Sequence, residues 1–344
     1  GNDEYSSRLM KLTLLKYKKQ IIVFSFFFIP LIFISVFKVD YNLIAPGYND
    51  NVNEFIQVTS DNESKGSFHT TSVISLKGIT YLQYLIGSKE DKVIVSPFPE
   101  YYDDIVVSDL KVMSYLMKDD SLYTSLIVGI LNTGHEIEYE SFLTVYLTWN
   151  YLDEDTLEIG DKIIDVTKDG VSINIYDINC EDKVIFTVLR GEDLLDFELT
   201  KNPLSETTCG IGISTDIFSK ILSTDVEYNL IETATSGPSG GLMQSLYIYN
   251  QLTDFDYTNG LKIGGTGTIS IDGNVGAIGG IEQKIYTSDM NNIDIFFAPF
   301  AGGNYDDAME AYKNINSDMI IVGVDTFSDA VDYLRNYQGG GLND

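Results

Sequence analysis

The chain has 344 residues, of which 44% are hydrophobic, and a formal net charge of −29 at pH 7. This length suggests two or three domains, and this composition is sufficient for a sizeable core. So acidic a surface repels phosphate groups, which argues against nucleic acid as a partner. The two histidines, His69 and His135, are too few for a histidine-based metal site, and we expect no cofactor.

The two cysteines, Cys180 and Cys209, are too few for a disulfide framework, and no C-x-x-C pair suggests zinc. They are able to form one bridge if the domain faces an oxidising compartment. The sequence alone leaves this open.

The N-terminal residues combine a basic segment with an apolar one. Residues 1–20 carry five basic and two acidic side chains, a local balance of +3, and residues 21–37 form an uncharged apolar run of 17. As a helix this run is about 26 Å long, enough to cross a bilayer when Lys19 and Lys38 extend toward the headgroups. We therefore predict a cytoplasmic basic tail (1–20), a single transmembrane anchor in the cell membrane (21–37) and an extracytoplasmic remainder. A cleaved signal peptide and a buried core helix are the two alternatives.

Residues 38–137 are predicted to form an extracytoplasmic linker followed by an α/β region. The segment up to residue 66 is polar, and β-branched residues dominate 67–76, which favours a strand. Apolar residues recur at roughly helical spacing over 111–131, which predicts two helices ending at Gly134.

Residues 138–203 have the pattern of a small β-domain, with several apolar strands and a hairpin turn at 191–193. The order of these strands, and the Gly160-Asp161 turn ahead of Ile163 and Ile164, resembles a PDZ domain. PDZ domains usually hold a peptide's terminal carboxylate in a glycine-rich loop, whereas the matching stretch here, 144–147, has no glycine. Strand addition at the sheet edge is then the binding mode that the resemblance implies. A β-domain that acts only as a spacer is the alternative.

Strand and helix signals alternate over residues 205–337, which predicts an α/β unit and an α+β chain as a whole. Strands are predicted at 226–231, 262–271, 293–298 and 319–324, and helices at 242–252, 281–290 and 305–313. The tail, residues 338–344, is predicted to be mobile.

Ser239 lies in a Gly-Pro-Ser-Gly-Gly turn before a predicted helix. The free amides and positive dipole end of such a helix are suited to stabilise an oxyanion, although a turn of this kind alone is weak evidence. A serine hydroxyl needs a base, and neither histidine lies in this predicted unit, so a histidine base would have to come from elsewhere in the chain. A lysine whose pKa is lowered by burial is the other candidate. Lys284 follows a glycine-punctuated apolar stretch that leads into a helix, which singles it out among Lys220, Lys262, Lys284 and Lys313. A surface lysine on an amphipathic helix is the alternative.

The segment from residue 238 onward resembles the proteolytic domain of the Lon family. That family carries a Pro-Ser-Ala-Gly nucleophile turn, a Thr-Gly strand, and a glycine-rich run ending in Ile-Gly-Gly with a lysine four residues on. This chain has Pro-Ser-Gly-Gly at 238–241, Thr-Gly at 266–267 and Ile-Gly-Gly at 278–280, and the resemblance covers roughly 205–335. It implies that Ser239 is the nucleophile, that Lys284 is the general base and that Thr266 hydrogen-bonds the lysine. Gly240 replaces the family's usual alanine, and Thr268 replaces an acidic residue common in ATP-dependent Lon.

The sequence contains no G-x-x-x-x-G-K-[ST] motif, so we expect no phosphate-cradling loop and no ATP hydrolysis. Anchor, PDZ-like region and Lon-like domain in this order resemble the ATP-independent, PDZ-containing Lon-like membrane proteases of bacteria (the YlbL type). The resemblance implies a serine endopeptidase that cleaves extended or unfolded segments of exported or membrane proteins, and it makes self-association of the chain plausible. The alternative is a catalytically degenerate, membrane-anchored scaffold or peptide receptor that uses the PDZ-like domain.

Overall fold

The computed structural model describes residues 10–11, 13, 15–98, 105, 107–233 and 235–340. The chain divides into two compact units, one formed by the residues up to Ala45 with Ile74–Phe98, the other by Pro46–Val73 with the chain from Pro99 onward. The helices are α1 (Lys18–Val36), α2 (Tyr81–Gly87), α3 (Val107–Leu131), α4 (Gly241–Leu252), α5 (Ile281–Met290), α6 (Asn304–Lys313) and α7 (Phe327–Gly340).

The strands form two larger sheets and three short two-stranded pairings. They are β1 (Tyr41–Asn51), β2 (Ile56–Val58), β3 (Ser67–Lys77), β4 (Ile94–Pro97), β5 (Ile137–Thr148), β6 (Lys162–Lys168), β7 (Val171–Ser172), β8 (Lys183–Arg190), β9 (Asp193–Thr200), β10 (Asn202–Pro203), β11 (Cys209–Gly210), β12 (Ile213–Thr224), β13 (Tyr228–Leu230), β14 (Lys262–Gly265), β15 (Thr268–Ile269), β16 (Val275–Gly276), β17 (Ile295–Pro299) and β18 (Ile320–Val324).

The smaller unit contains the apolar helix α1. Among the described residues, α1 is the one helix long and apolar enough to cross a membrane, and none of its apolar window is buried. A core helix would be buried, so that alternative is wrong, whereas a membrane span and a signal sequence both fit length and composition. In the same unit, the first four residues of β1 pair antiparallel with β4. A capping box formed by Thr80 and Gln83 fixes the start of α2.

The central sheet of the larger unit contains β18, β17, β14, β3 and the second part of β1, in that order. β17 pairs parallel with both β18 and β14, and β14 pairs parallel with β3. Consecutive side chains of β17 face opposite cores: Phe297 packs in the core of α4 and α7, and Phe296 in the core of α5 and α6. Helices therefore cover both faces, and the parallel pairing places Gly265, the last residue of β14, beside Thr70 in β3.

The second large sheet has the order β12-β5-β6-β8-β9, with β7 beside β6. It has a separate buried core that includes Val145, Phe186 and Leu199. β12 and β5 pair antiparallel along almost their whole length. β12 is a strand that the sequence does not predict, and it lies within residues 205–337, so this sheet extends past residue 203. Cys180 and Cys209 form a disulfide, which settles the alternative that the sequence leaves open.

Three local predictions differ from the structure. Residues 111–131 lie in one helix, α3, because no proline or turn interrupts it, so the prediction of two helices is wrong. The predicted strand 262–271 divides into β14 and β15 at Gly267, whose φ of +148° only glycine adopts readily. A last helix, α7, runs through residues 338–340, for which a mobile tail is predicted, and residues 341–344 lie outside the described residues.

Candidate active site

Ser239 lies in the turn that leads into α4, and its position depends on glycines on both sides. Gly237 has a φ of +87°, which glycine adopts without strain. A Cβ atom on Gly241 would lie 2.7 Å from the Cγ2 atom and 2.9 Å from the backbone nitrogen of Ile269. The turn therefore packs directly against β15, which brings Ser239 beside the residues that follow β14.

Lys284 lies in the first turn of α5, and only 2% of its surface is exposed. Its Nζ atom donates a hydrogen bond to the carbonyl oxygen of Thr71 on β3 and lies 3.2 Å from the Oγ atom of Ser239. Burial disfavours the ammonium form and lowers the pKa of Lys284 from 10.5 to about 8. The structure thus brings a buried amine within hydrogen-bond distance of the half-buried Ser239.

Thr266 supports Ser239 rather than the lysine. Its Oγ1 atom donates to the carbonyl oxygen of Ser239 at 3.0 Å, and the amide of Gly267 donates to the same oxygen at 2.8 Å. The predicted hydrogen bond from Thr266 to Lys284 is therefore not the contact observed. The reason is the position of Thr266, which directly follows β14 and bonds the backbone of the Ser239 turn. The amine of Lys284 instead bonds the carbonyl oxygen of Thr71.

Thr71 is a contact that the sequence does not predict. It lies 213 positions before Lys284 and contributes only a backbone oxygen, which any residue type supplies. Its side chain is buried, and its Oγ1 atom donates to the carbonyl oxygen of Gly265 at 3.4 Å. This bond links the middle of β3 to the end of β14.

Helix α3 holds the turn from the other side through buried serines. Ser121 Oγ donates to the carbonyl oxygen of Pro238 at 3.2 Å, and Ser125 Oγ lies within 3.1 Å of the carbonyl oxygen of Gly241 and 2.9 Å of the Oε1 atom of Gln244. Neither serine is predicted from the sequence as part of the site. Two serines four positions apart on an otherwise apolar helical face are a signal that could have indicated them.

Neither histidine is placed to activate Ser239. His69 lies on β3 in the same unit, but its two ring nitrogens contact Asn49 at 2.9 Å and Ser67 at 2.8 Å. Burial, with the nearby charge of Lys262, lowers the pKa of His69. His135 contacts Asp225 at 3.1 Å. Within the part of the chain that the structure describes, no cluster of three or more His, Cys, Asp or Glu residues is arranged to hold a metal ion.

Comparison with known proteins shows a similarity in the C-terminal part of the chain. Residues 207–335 match the profile of the Lon protease (S16) C-terminal proteolytic domain. A relative is the Lon protease of Aster yellows witches'-broom phytoplasma (strain AYWB), which is 27% identical over 150 residues. That alignment covers 43% of this chain and 18% of the relative, so this chain spans only a small part of the relative's length. The C-terminal part of the chain is therefore similar to the proteolytic domain of Lon proteases, which are peptidases.

Proposed function

We propose that this chain is a serine endopeptidase in which Ser239 is the nucleophile and Lys284 the general base. The observation that carries the proposal is the 3.2 Å separation of Lys284 Nζ from Ser239 Oγ. A buried amine with a pKa of about 8 is substantially neutral in mildly alkaline solution and then has a lone pair to accept a proton. Structural lysines rarely combine such burial with a hydroxyl group as a neighbour.

In the proposed mechanism, the neutral amine of Lys284 accepts the Ser239 hydroxyl proton as Oγ bonds to the substrate carbonyl carbon. The ammonium group that results protonates the leaving amine when the peptide C–N bond breaks. Lys284 then removes a proton from the water that hydrolyses the acyl-enzyme and returns it to Ser239. The carbonyl oxygen of Thr71 accepts a hydrogen bond from Nζ and so orients the amine throughout.

The amide of Gly240 is our candidate donor to the oxyanion. Gly240 is the N-cap residue of α4, and its amide has no acceptor among the described residues. The next two amides are already used, since Gly241 donates to the carbonyl oxygen of Pro238 and Leu242 to that of Gly267. The amide of Gly240 also lies at the positive end of the helix dipole, which favours a developing negative charge.

We further propose that the enzyme works without ATP, outside the cytoplasm and attached to the membrane by α1. The absence of a G-x-x-x-x-G-K-[ST] motif from the 344 residues supports ATP independence. The Cys180–Cys209 disulfide supports an oxidising compartment. Without an unfolding motor, extended or unfolded segments are the expected substrates. The β12-containing sheet, with its PDZ-like sequence pattern, is proposed to deliver them, and self-association is proposed by analogy with Lon domains.

The experiment is digestion of casein by the full chain in detergent micelles, with Ser239→Ala and Lys284→Ala variants beside the wild type. Both single variants and the double variant should lose activity to the same low level, since a nucleophile and its base act as a unit. Equal cleavage by all four proteins contradicts the proposal. Casein binding by wild type and Ser239→Ala alike, with no turnover by either, would favour the scaffold alternative.

A further inference from the structure

A groove of about 600 Å³ lies beside the Ser239 turn. Its lining includes Pro238, which directly precedes the serine, and Thr268, which lies two residues after Thr266. The walls come from α3, from β12 and from the β15–β16 hairpin. The groove therefore runs from Pro238, next to Ser239, toward the edge of the second large sheet.

The lining of the groove combines acidic and apolar side chains. Asp120 on α3, Asp216 on β12 and Asp272 after β15 line it, and none of its described lining residues is Lys, Arg or His. Apolar side chains lie between these carboxylates, among them Ile217 and Ile269. Aliphatic walls with carboxylates are the chemistry that suits a Lys or Arg side chain, whose stem is apolar and whose end is cationic.

Hydrogen bonds to the backbone of β12 hold two of these carboxylates in place. Asp120 Oδ1 accepts from the amide of Ser219 at 2.8 Å, and Asp216 Oδ1 accepts from the amide of Ile217 at 2.8 Å. β12 is the outer strand of its sheet, so these bonds occupy amides that an added strand would need. The groove is therefore equipped to recognise a substrate side chain there rather than to pair with substrate backbone on β12.

Asp120 is partly removed from water, which strengthens any ion pair that it forms. Burial, with a smaller contribution from the negative charge of Asp216, raises the pKa of Asp120 to about 6. The carboxyl group is still ionised at the alkaline pH at which Lys284 is neutral. A cationic side chain placed beside it offsets this unfavourable burial.

We propose that this groove binds the substrate segment next to the scissile bond and prefers a Lys or Arg side chain, held by Asp120 and Asp216. This inference rests on the proposed function, because it names the substrate class of the same site. Asp120 lies on α3, outside the residues 207–335 that match the Lon domain. One of the two carboxylates that set the preference therefore lies outside the matched range.

The test uses internally quenched peptides based on a casein segment that the wild type cleaves, with Lys, Gln or Glu at each position around the scissile bond. The full chain in detergent at pH 8 should cleave the best Lys peptide about tenfold faster than its Gln counterpart, as kcat/KM, and the Glu peptide more slowly still. Asp120→Asn keeps an oxygen for the Ser219 amide and removes the charge. It should bring the Lys-to-Gln ratio near one, as should Asp216→Asn.

The matched control is Asp119→Asn, which removes the same charge from the exposed neighbour on α3. This variant should keep the wild-type ratio. A wild-type ratio near one, or the same fall in Asp119→Asn as in Asp120→Asn, overturns the inference while leaving the peptidase proposal intact.

If the wild type cleaves no peptide, the proposed function fails, and binding decides the inference separately. Fluorescence anisotropy would then be measured with the Ser239→Ala chain and labelled Lys, Gln and Glu peptides. Tighter binding of the Lys peptide that Asp120→Asn removes supports the groove assignment. Equal affinities for the three peptides contradict it.

Discussion

The Nζ atom of Lys284 lies 3.2 Å from the Oγ atom of Ser239, although 45 positions separate the two residues in the chain. Ser239 lies two residues before α4, and Lys284 lies in the first turn of α5. The two residues meet beside the end of β14 and the middle of β3. The carbonyl oxygen of Thr71 binds the amine, and Thr266 binds the carbonyl oxygen of Ser239. The arrangement thus fixes the amine and the backbone of the serine separately, through groups from two adjacent parallel strands.

Burial of Lys284 should make stability depend on pH in a defined window. Its pKa is 10.5 when exposed and about 8 in the fold, so between these values the unfolded chain binds a proton that the folded chain does not. This group therefore makes the free energy of unfolding rise with pH from about 8 to 10.5. In Lys284→Met the contribution is absent. The free energy of unfolding of the wild type minus that of Lys284→Met, both measured by urea unfolding, should therefore increase by up to about 3 kcal/mol as the pH rises across this window.

Comparing the two proteins at each pH cancels the titration of every other group. Unfolding free energies that run parallel in wild type and Lys284→Met from pH 7 to 10.5 would show that the amine is hydrated in the folded protein. A difference that shrinks as pH rises would contradict the sign of the argument.

The sequence predicts more of the C-terminal part than of the region before it. The bounds of α5 agree with the prediction, and those of α4 and α6 agree to within one residue, because each helix has a regular apolar face ended by turn residues. The motifs also single out Ser239 and Lys284, since their spacing resembles that of a known family. Whether these two residues catalyse a reaction remains a prediction for experiment.

What the sequence does not predict are the long-range and backbone contacts of the site. Thr71 contributes a carbonyl oxygen, for which no residue type is a signal, and Ser121 and Ser125 contact the turn from more than a hundred positions away. The sequence predicts one strand over 262–271 because Thr268 and Ile269 continue the β-branched pattern. Only the backbone conformation of Gly267 divides it.

The two glycines after Ser239 should differ in their tolerance of alanine. A Cβ atom on Gly240 would meet only side-chain atoms within 3.0 Å, the Nε2 atom of Gln244 at 2.8 Å and the Cγ2 atom of Thr70 at 3.0 Å. A Cβ atom on Gly241 would meet the backbone of Ile269, which is fixed in β15. Gly240→Ala should therefore change the free energy of unfolding by less than about 1 kcal/mol and keep activity, whereas Gly241→Ala should cost about 2 kcal/mol or more.

Urea unfolding and kcat/KM on casein peptides measure both effects, and each glycine variant is the control for the other. Equal losses in the two variants would contradict the packing of the turn against β15.

Thr266 should affect the rate without affecting the pH profile. Thr266→Val removes the Oγ1 hydrogen bond to the carbonyl oxygen of Ser239, which retains the bond from Gly267. We expect a loss of about 1 kcal/mol in stability and of about tenfold in kcat, with Thr266→Ser restoring both. The apparent pKa of kcat/KM should stay that of the wild type. A shifted pKa in Thr266→Val would show instead that Thr266 acts on Lys284.

The disulfide should contribute stability without contributing to catalysis. Cys180 and Cys209 are 29 positions apart, and closing a loop of this size is worth about 3–4 kcal/mol. The double variant Cys180→Ala/Cys209→Ala should lose about this much in urea unfolding and keep the wild-type kcat/KM at low temperature. Dithiothreitol should destabilise the wild type by a similar amount and leave the double variant unchanged. Dithiothreitol destabilising both proteins equally would contradict this assignment.

The most direct test of the central claim is the rate at which a fluorophosphonate reagent labels Ser239, measured from pH 6 to 10 in the full chain. This reaction reports the nucleophilicity of Ser239 and needs no substrate. If the neutral amine of Lys284 activates the serine, the labelling rate should rise with pH with an apparent pKa of about 8 and level off. Lys284→Met should react at least a hundredfold more slowly and lack this step. The same rate and pH profile in wild type and Lys284→Met would contradict the claim.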